Sequence, residues 1–123
     1  MPYLTVEHSQ NVADAVEGLC DALRRAAIET GIFPVAGVRV RAYPARDYAM
    51  ADGDPKHGFV DVTVRMREGR DEATRVRAAE AIMAAAEAHL APAMETRSIG
   101  LSVEVREMAD AAALKGGNVR EHL

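Results

Sequence analysis

The sequence has little of several residue types on which whole classes of protein depend. Its 123 residues include one cysteine, Cys20, and no tryptophan, and only 4% are aromatic. A lone cysteine excludes an internal disulfide and fits a reducing compartment. No run of about 18 apolar residues is present, and no basic segment followed by an apolar one opens the chain. We therefore expect a cytoplasmic protein that does not bind membranes.

Charge and motif content narrow the function further. The net charge is −4 and no stripe of basic and aromatic residues is present, which argues against a nucleic-acid partner. No phosphate-binding glycine loop, histidine pair with metal-ligand spacing, or nucleophile with a partner at a recognisable spacing occurs. The histidines are scattered, so surface or core roles are favoured over metal ligation; they are His8, His57, His89 and His122. We expect no metal site.

Four segments alternate apolar and polar residues, as strands with one buried face do. They are "YLTVEH" (3–8), "GVRVRAY" (37–43), "FVDVTVRM" (59–66) and "IGLSVEVRE" (99–107). The turn-rich segment between the second and third is interpreted as an irregular hairpin around Asp52-Gly53.

Two segments have apolar residues at helical spacing. Residues 11–31 predict one helix with Asn11 as its cap and Gly31 at its end, and residues 70–92 predict a second helix capped by Asp71. The expected core-facing stripes are Val16, Cys20, Leu23 and Ala27, then Val76, Ala79, Met83, Ala86 and Leu90. Cys20 is accordingly predicted to be inert packing.

The order strand–helix–strand occurs twice, which predicts two parallel strand pairs with right-handed helical crossovers. We predict an α+β fold, a two-layer sandwich of two βαβ units in one domain (1–123), with both helices on one face of a four-stranded sheet. The residues expected under the helices are Val38, Val40, Val60, Val62, Val64, Leu101 and Val103. The opposite face is polar and carries Arg39, Arg41, Asp61, Thr63, Arg65, Ser102, Glu104 and Arg106. That face is either solvated, which the sequence alone favours, or the inner wall of a ring of subunits.

Pro2 has two interpretations. Proline lacks a backbone N–H and is tolerated at the first residue of a strand, so Pro2 can simply begin the first strand. Alternatively, removal of Met1 makes Pro2 the amino terminus, and its secondary amine can then act as a base. The sequence pattern alone favours the first interpretation.

A resemblance changes that weighting. Pro2 at the head of a strand followed by two βαβ units resembles the tautomerase superfamily and, within it, the 5-carboxymethyl-2-hydroxymuconate delta-isomerases. The matching segments run in order along the chain: "GIFPVAGVRVRA" (31–42), "MADG" (50–53), "FVDVT" (59–63), "GR" (69–70), "METRSIGLSVEV" (94–105) and, weakly, "KGGNV" (115–119).

The resemblance implies a homotrimer that works without cofactor or metal and uses an amino-terminal proline as general base. By position, the base falls on Pro2 and a substrate-binding arginine falls on Arg39. Arg70 and, more faintly, Arg41 are further candidates. Arginines suit a carboxylate substrate because they stay protonated and bind carboxylates bidentately.

We therefore expect an isomerase that moves a proton between carbons of an unsaturated hydroxy or oxo polycarboxylic acid in aromatic catabolism. Two alternatives stay open. One is a tautomerase of a smaller keto–enol acid, and the other is a non-catalytic trimeric binding protein with the same fold.

Overall fold

The structure, a computed structural model, describes residues 3–123. Its centre is a mixed four-stranded sheet of β1 (Tyr3–Ser9), β2 (Arg39–Ala45), β3 (His57–Arg67) and β4 (Ser98–Met108). β1 pairs parallel with β2, β3 pairs parallel with β4, and β1 and β3 are antiparallel, which gives the order β2-β1-β3-β4. The predicted α+β fold of two parallel βαβ units is confirmed.

The connection between β2 and β3 differs from the prediction. An irregular hairpin around Asp52-Gly53 requires that the strands on either side be neighbours, but β1 lies between them. The segment instead crosses one end of the sheet, where Tyr48 packs edge-on against Phe59 with ring centres 5.8 Å apart. The residues typical of turns were identified correctly, but they do not reveal which strands are neighbours in the sheet.

The first helical segment is broken where one helix was predicted. A 3₁₀ turn (Gln10–Val12) leads into α1 (Ala13–Val16), and α2 (Leu19–Glu29) follows. Gly18 separates them with a φ of 82°, a left-handed conformation that glycine adopts without strain. His89 fixes the break, because its Nε2 lies 2.8 Å from the Glu17 carbonyl oxygen.

Two details of this segment are corrected and one is confirmed. Asn11 does not cap a helix; its amide instead donates to the carbonyl oxygens of Pro55 and His57 at 3.4 and 2.9 Å. The core-facing stripe has Leu19 in place of Cys20, which is only partly buried. Burial raises the pKa of the Cys20 thiol, so the thiol stays protonated near neutral pH. Gly31 ends the helix as predicted, with a φ of 70°.

The second long helix, α3 (Glu72–Met94), begins as predicted, because the carboxylate of Asp71 accepts the Thr74 backbone N–H at 2.8 Å. The predicted stripe was partly wrong. Val76 is 46% exposed and Ala79 and Met83 are only partly buried, while the fully buried residues are Ala78, Ile82, Ala86 and Leu90. In the described part of the chain, no helix combines the length and apolar character needed to cross a membrane.

The core lies between the sheet and the two long helices. Val60, Val62 and Val64 of β3 are fully or almost fully buried. The predicted residues in and just before β2 and in β4 pack against the same cluster but are partly buried; they are Val38, Val40, Leu101 and Val103. The strand parity is confirmed, because Arg39 and Arg41 lie on the opposite, exposed face.

Candidate active site

The start of β1, the start of β2 and the end of β3 meet at one end of the sheet. Tyr3 is the register partner of Arg39 on β2 and of Arg65 on β3. The predicted base, Pro2, lies outside the described residues, but it is bonded to Tyr3. The topology therefore places Arg39 beside Tyr3, at the start of β1.

Arginines of two strands surround the Tyr3 ring. The guanidinium carbon of Arg41 lies 4.5 Å from the ring centre and that of Arg65 lies 5.6 Å away. Arg65 also donates a hydrogen bond to the Tyr3 hydroxyl at 2.7 Å. Cations over an aromatic face are attracted to its negative potential. Arg41, predicted as a fainter substrate ligand, is thus held over Tyr3 on the exposed face of the sheet.

Arg70, the other predicted ligand, lies in the turn between β3 and α3. Its guanidinium donates to the carbonyl oxygens of Ile32 at 3.0 Å and Arg67 at 3.4 Å. The guanidinium carbon lies 5.7 Å from the centre of the Phe33 ring. Arg70 therefore joins the end of β3 to the segment that enters β2.

An open cavity of about 390 Å³ lies beside Arg39, a size usual for small-molecule sites. One wall is the segment entering β2, with Pro34, Ala36 and Gly37, and the other is the carboxy-terminal segment from Lys115 to Glu121. Of the predicted arginines, Arg39 lines this cavity, whereas Arg41 and Arg70 are not among its lining residues.

The carboxy-terminal segment adds two cations that the sequence analysis did not assign to the site. Lys115 and Arg120 line the same cavity as Arg39, together with one carboxylate, Glu121. The only sequence feature that pointed to this segment was the weak family resemblance of "KGGNV" (115–119). Without the fold, nothing showed that this segment returns to β2.

A second cavity, of about 310 Å³, lies between α3 and β4. Its charged lining residues are Glu80 and Glu87, and Ala79, Met83 and Val103 supply apolar surface. Two carboxylates would repel an anionic substrate. The cavity beside Arg39 is therefore the candidate site for a carboxylic acid.

A hydrogen-bonded chain occupies the opposite end of the sheet. His57 Nε2 lies 2.9 Å from an Asp52 carboxylate oxygen, and His57 Nδ1 lies 2.7 Å from the Ser98 hydroxyl. The Asp54 backbone N–H, and then His57, lower the pKa of Asp52. These bonds join the segment before β3 to the start of β4. Within residues 3–123, no group of three His, Cys, Asp or Glu side chains is arranged to hold a metal ion.

The mixed sheet of two βαβ units with helices on one face is the tautomerase fold. A symmetric trimer of fused 4-OT shares the fold, with a TM-score of 0.67 at 22% identity over 96% of each chain. Much nearer is a 5-carboxymethyl-2-hydroxymuconate isomerase from Deinococcus radiodurans R1. Its TM-score is 0.90 at 31% identity, over 98% of this chain and 92% of that one. A second solved structure, a 5-carboxymethyl-2-hydroxymuconate delta-isomerase, gives a TM-score of 0.89 at 34% identity, over 99% and 92% of the two chains.

Sequence comparison agrees with the fold. The family model for 5-carboxymethyl-2-hydroxymuconate isomerase matches residues 2–123. The Escherichia coli 5-carboxymethyl-2-hydroxymuconate Delta-isomerase is 33% identical over 121 residues, which cover 97% of this chain and 96% of that protein. The chain belongs to the 5-carboxymethyl-2-hydroxymuconate isomerase family, and it is an enzyme of the isomerase class.

Proposed function

We propose that this protein, as one domain of residues 1–123, isomerises an unsaturated hydroxy or oxo polycarboxylic acid of the 5-carboxymethyl-2-hydroxymuconate type during the breakdown of aromatic compounds. The names of the relatives support the substrate class. The reaction moves a proton between carbons and needs no cofactor. Pro2, exposed by removal of Met1, is the general base.

The arginines around Tyr3 carry the proposal. Arg39 is its register partner, and Arg41 and Arg65 lie over its ring. We propose that these guanidiniums act on the terminal amine bonded to Tyr3, since nearby positive charge favours the neutral form of an amine. An ordinary α-amino group titrates at about pH 8 and the secondary amine of proline is somewhat more basic, so the positive charge has to lower the pKa of Pro2 to supply a neutral base near neutral pH.

The proposed steps conserve atoms and charge. The Pro2 nitrogen takes a proton from a carbon of the substrate, and the electron pair left behind delocalises into the conjugated system as a dienolate. The protonated proline then returns the proton to a different carbon, which shifts the double bond. Arginines cannot be the base because they stay protonated, but Arg39 can stabilise the dienolate charge at the cavity wall.

The three predicted arginines have different proposed roles. Arg39 binds a substrate carboxylate, because it lines the cavity beside the start of β1. Arg41 acts mainly through the positive field around Tyr3, over whose ring it lies. Arg70 supports the cavity wall, because it donates to the Ile32 carbonyl oxygen and lies over the Phe33 ring.

We also propose that the working unit is a cytoplasmic homotrimer. Three apolar side chains of the carboxy-terminal segment are exposed in the single chain: Leu114 (95%), Val119 (55%) and Leu123 (75%). Burial of apolar surface favours association. A solved structure with the same fold is described as a symmetric trimer. Sedimentation showing a fully active monomer at micromolar concentration would contradict the trimer.

The test compares the free polycarboxylic acid with its neutral ester in wild-type and Pro2→Ala protein. We expect the wild type to convert the acid well and the ester poorly. Pro2→Ala should keep the fold and lose up to about 10²–10⁴-fold in rate, less if its primary amine substitutes in part. Equal conversion of acid and ester would contradict carboxylate recognition.

The same assay separates the alternatives. Conversion of a smaller keto–enol acid without conversion of the polycarboxylic acid would replace the proposed substrate. Binding of both acids with no turnover by Met1-free protein would indicate a non-catalytic binding protein.

A further inference from the structure

We propose that the carboxy-terminal segment supplies a second carboxylate site, in which Lys115 and Arg120 bind the substrate carboxylate remote from the reacting carbons. The inference rests on the proposed function for the class of substrate. It adds two residues that determine specificity for dicarboxylic over monocarboxylic acids. With Arg39 at one wall and these two residues at the other, the cavity can bind both ends of an extended dicarboxylate.

The geometry of the cavity is the first argument. Lys115 and Arg120 belong to the carboxy-terminal wall, while Arg39 belongs to the wall formed by the start of β2. Cations on separate walls of a cavity of about 390 Å³ suit a ligand with separated negative groups. Glu121 is the only carboxylate among the described lining residues, so cations outnumber it.

The ion pairs of the chain are the second argument. Several other arginines in the described residues have carboxylate partners, for example Arg97 with Asp14 at 2.8 Å and Arg67 with Asp110 at 2.7 Å. Within residues 3–123, Lys115 and Arg120 form no such pair. The protein has a net charge of −4, so a local surplus of positive charge is needed to attract a polyanion.

The backbone of the segment is the third argument. Gly117 has a φ of 95°, in the left-handed region that other residues adopt only with strain. A short 3₁₀ turn (Val119–His122) follows, closed by the Glu121 N–H donating to the Asn118 carbonyl oxygen at 3.0 Å. Lys115 precedes Gly117 and Arg120 follows it, and both residues line the same cavity.

The first experiment measures binding without catalysis. Hexanedioate, a saturated dicarboxylate, and hexanoate, its monocarboxylate counterpart, are titrated calorimetrically into wild type and into a Lys115→Met, Arg120→Met double variant. The matched control is Lys56→Met with Arg24→Met, which removes the same charge from exposed positions outside the cavity. Because the control variant has the same net charge as the double variant, a difference in affinity between them reports contacts inside the cavity and not the overall charge of the protein.

We expect the double variant to bind hexanedioate about tenfold or more weakly than wild type, because charge-assisted hydrogen bonds are lost. Hexanoate binding should change little, and the control should bind both acids as wild type does. Equal hexanedioate affinity in wild type and the double variant would overturn the inference. So would a wild type that does not bind hexanedioate, or a control that weakens binding equally.

The second experiment measures turnover of the polycarboxylic acid. The double variant should raise KM with kcat nearly unchanged, since a remote carboxylate is held equally in the ground and transition states. Failure of the wild type to isomerise any unsaturated oxo acid would refute the proposed function, while the hexanedioate result would still decide the carboxylate site. A fall in kcat with KM unchanged would overturn the remote-binding role.

Discussion

Replacement of Arg70 by methionine tests whether this arginine holds the cavity wall. The change keeps an apolar side chain beside Phe33 but removes the hydrogen bonds to the Ile32 and Arg67 carbonyl oxygens. Hydrogen bonds from charged groups contribute about 1.5–3 kcal/mol when buried, and partial exposure reduces this. The bond to Arg67 is long at 3.4 Å and adds little.

The expected loss for Arg70→Met is therefore about 2 kcal/mol of unfolding free energy, counting about 0.5–1 kcal/mol for the guanidinium over the Phe33 ring. For a chain of this size the melting temperature should fall by about 8 °C. Urea titration followed by circular dichroism measures the change. KM should rise for both the acid and its ester, because Ile32 and Phe33 lead directly into Pro34 at the cavity wall.

Arg77→Met is the matched control. Arg77 also donates to a backbone carbonyl oxygen, that of Thr30 at 2.9 Å, but the bond is exposed and Arg77 does not line the cavity. We expect it to cost less than about 1 kcal/mol and to leave KM unchanged. If Arg70→Met unfolds like wild type while raising KM for the acid alone, Arg70 is a direct substrate ligand and the structural role is refuted.

Three further predictions concern the active site, the hydrophobic core and the loss of stability at low pH. Arg39→Gln should raise KM and lower kcat for the free acid while changing ester turnover little; equal losses for both would contradict a carboxylate contact. Leu90→Ala should cost about 2–5 kcal/mol in urea unfolding, since Leu90 is fully buried, whereas the exposed Val76→Ala should cost far less. The Arg97 hydrogen bond lowers the pKa of Asp14 below its ordinary value of 3.8. The stability that this bond contributes is therefore present above that pH and is lost as the pH falls through the folded-state pKa. Asp14→Asn should thus destabilise at neutral pH and have little effect at about pH 2.

Local chemistry explains which parts of the fold could be predicted. The Asp71 cap and the end at Gly31 depend on residues next to them in the chain, and both were predicted correctly. Strand parity was equally local, which placed Arg39 on the exposed face. In α3 the alanine-rich sequence gives little contrast between faces, so the predicted stripe was partly wrong and Val76 lies outside the core.

Features set by distant contacts could not be predicted. The break at Gly18 depends on His89 from another helix, and Asn11 donates to the carbonyl oxygens of Pro55 and His57, at the start of β3. The arginines around Tyr3 become neighbours only because β1 lies between β2 and β3. The presence of Lys115 in the same cavity as Arg39 likewise depends on how the end of the chain packs.

The most direct test of the proposed mechanism compares protein with and without Met1. The two forms are prepared with methionine aminopeptidase active or inhibited, verified by intact mass, and assayed on the same polycarboxylic acid. With Met1 retained, the Pro2 nitrogen is an amide without useful basicity, so kcat/KM should fall by at least about 10²-fold while the unfolding transition stays the same. Equal kcat/KM in the two forms would contradict Pro2 as the base and leave it a residue that begins β1.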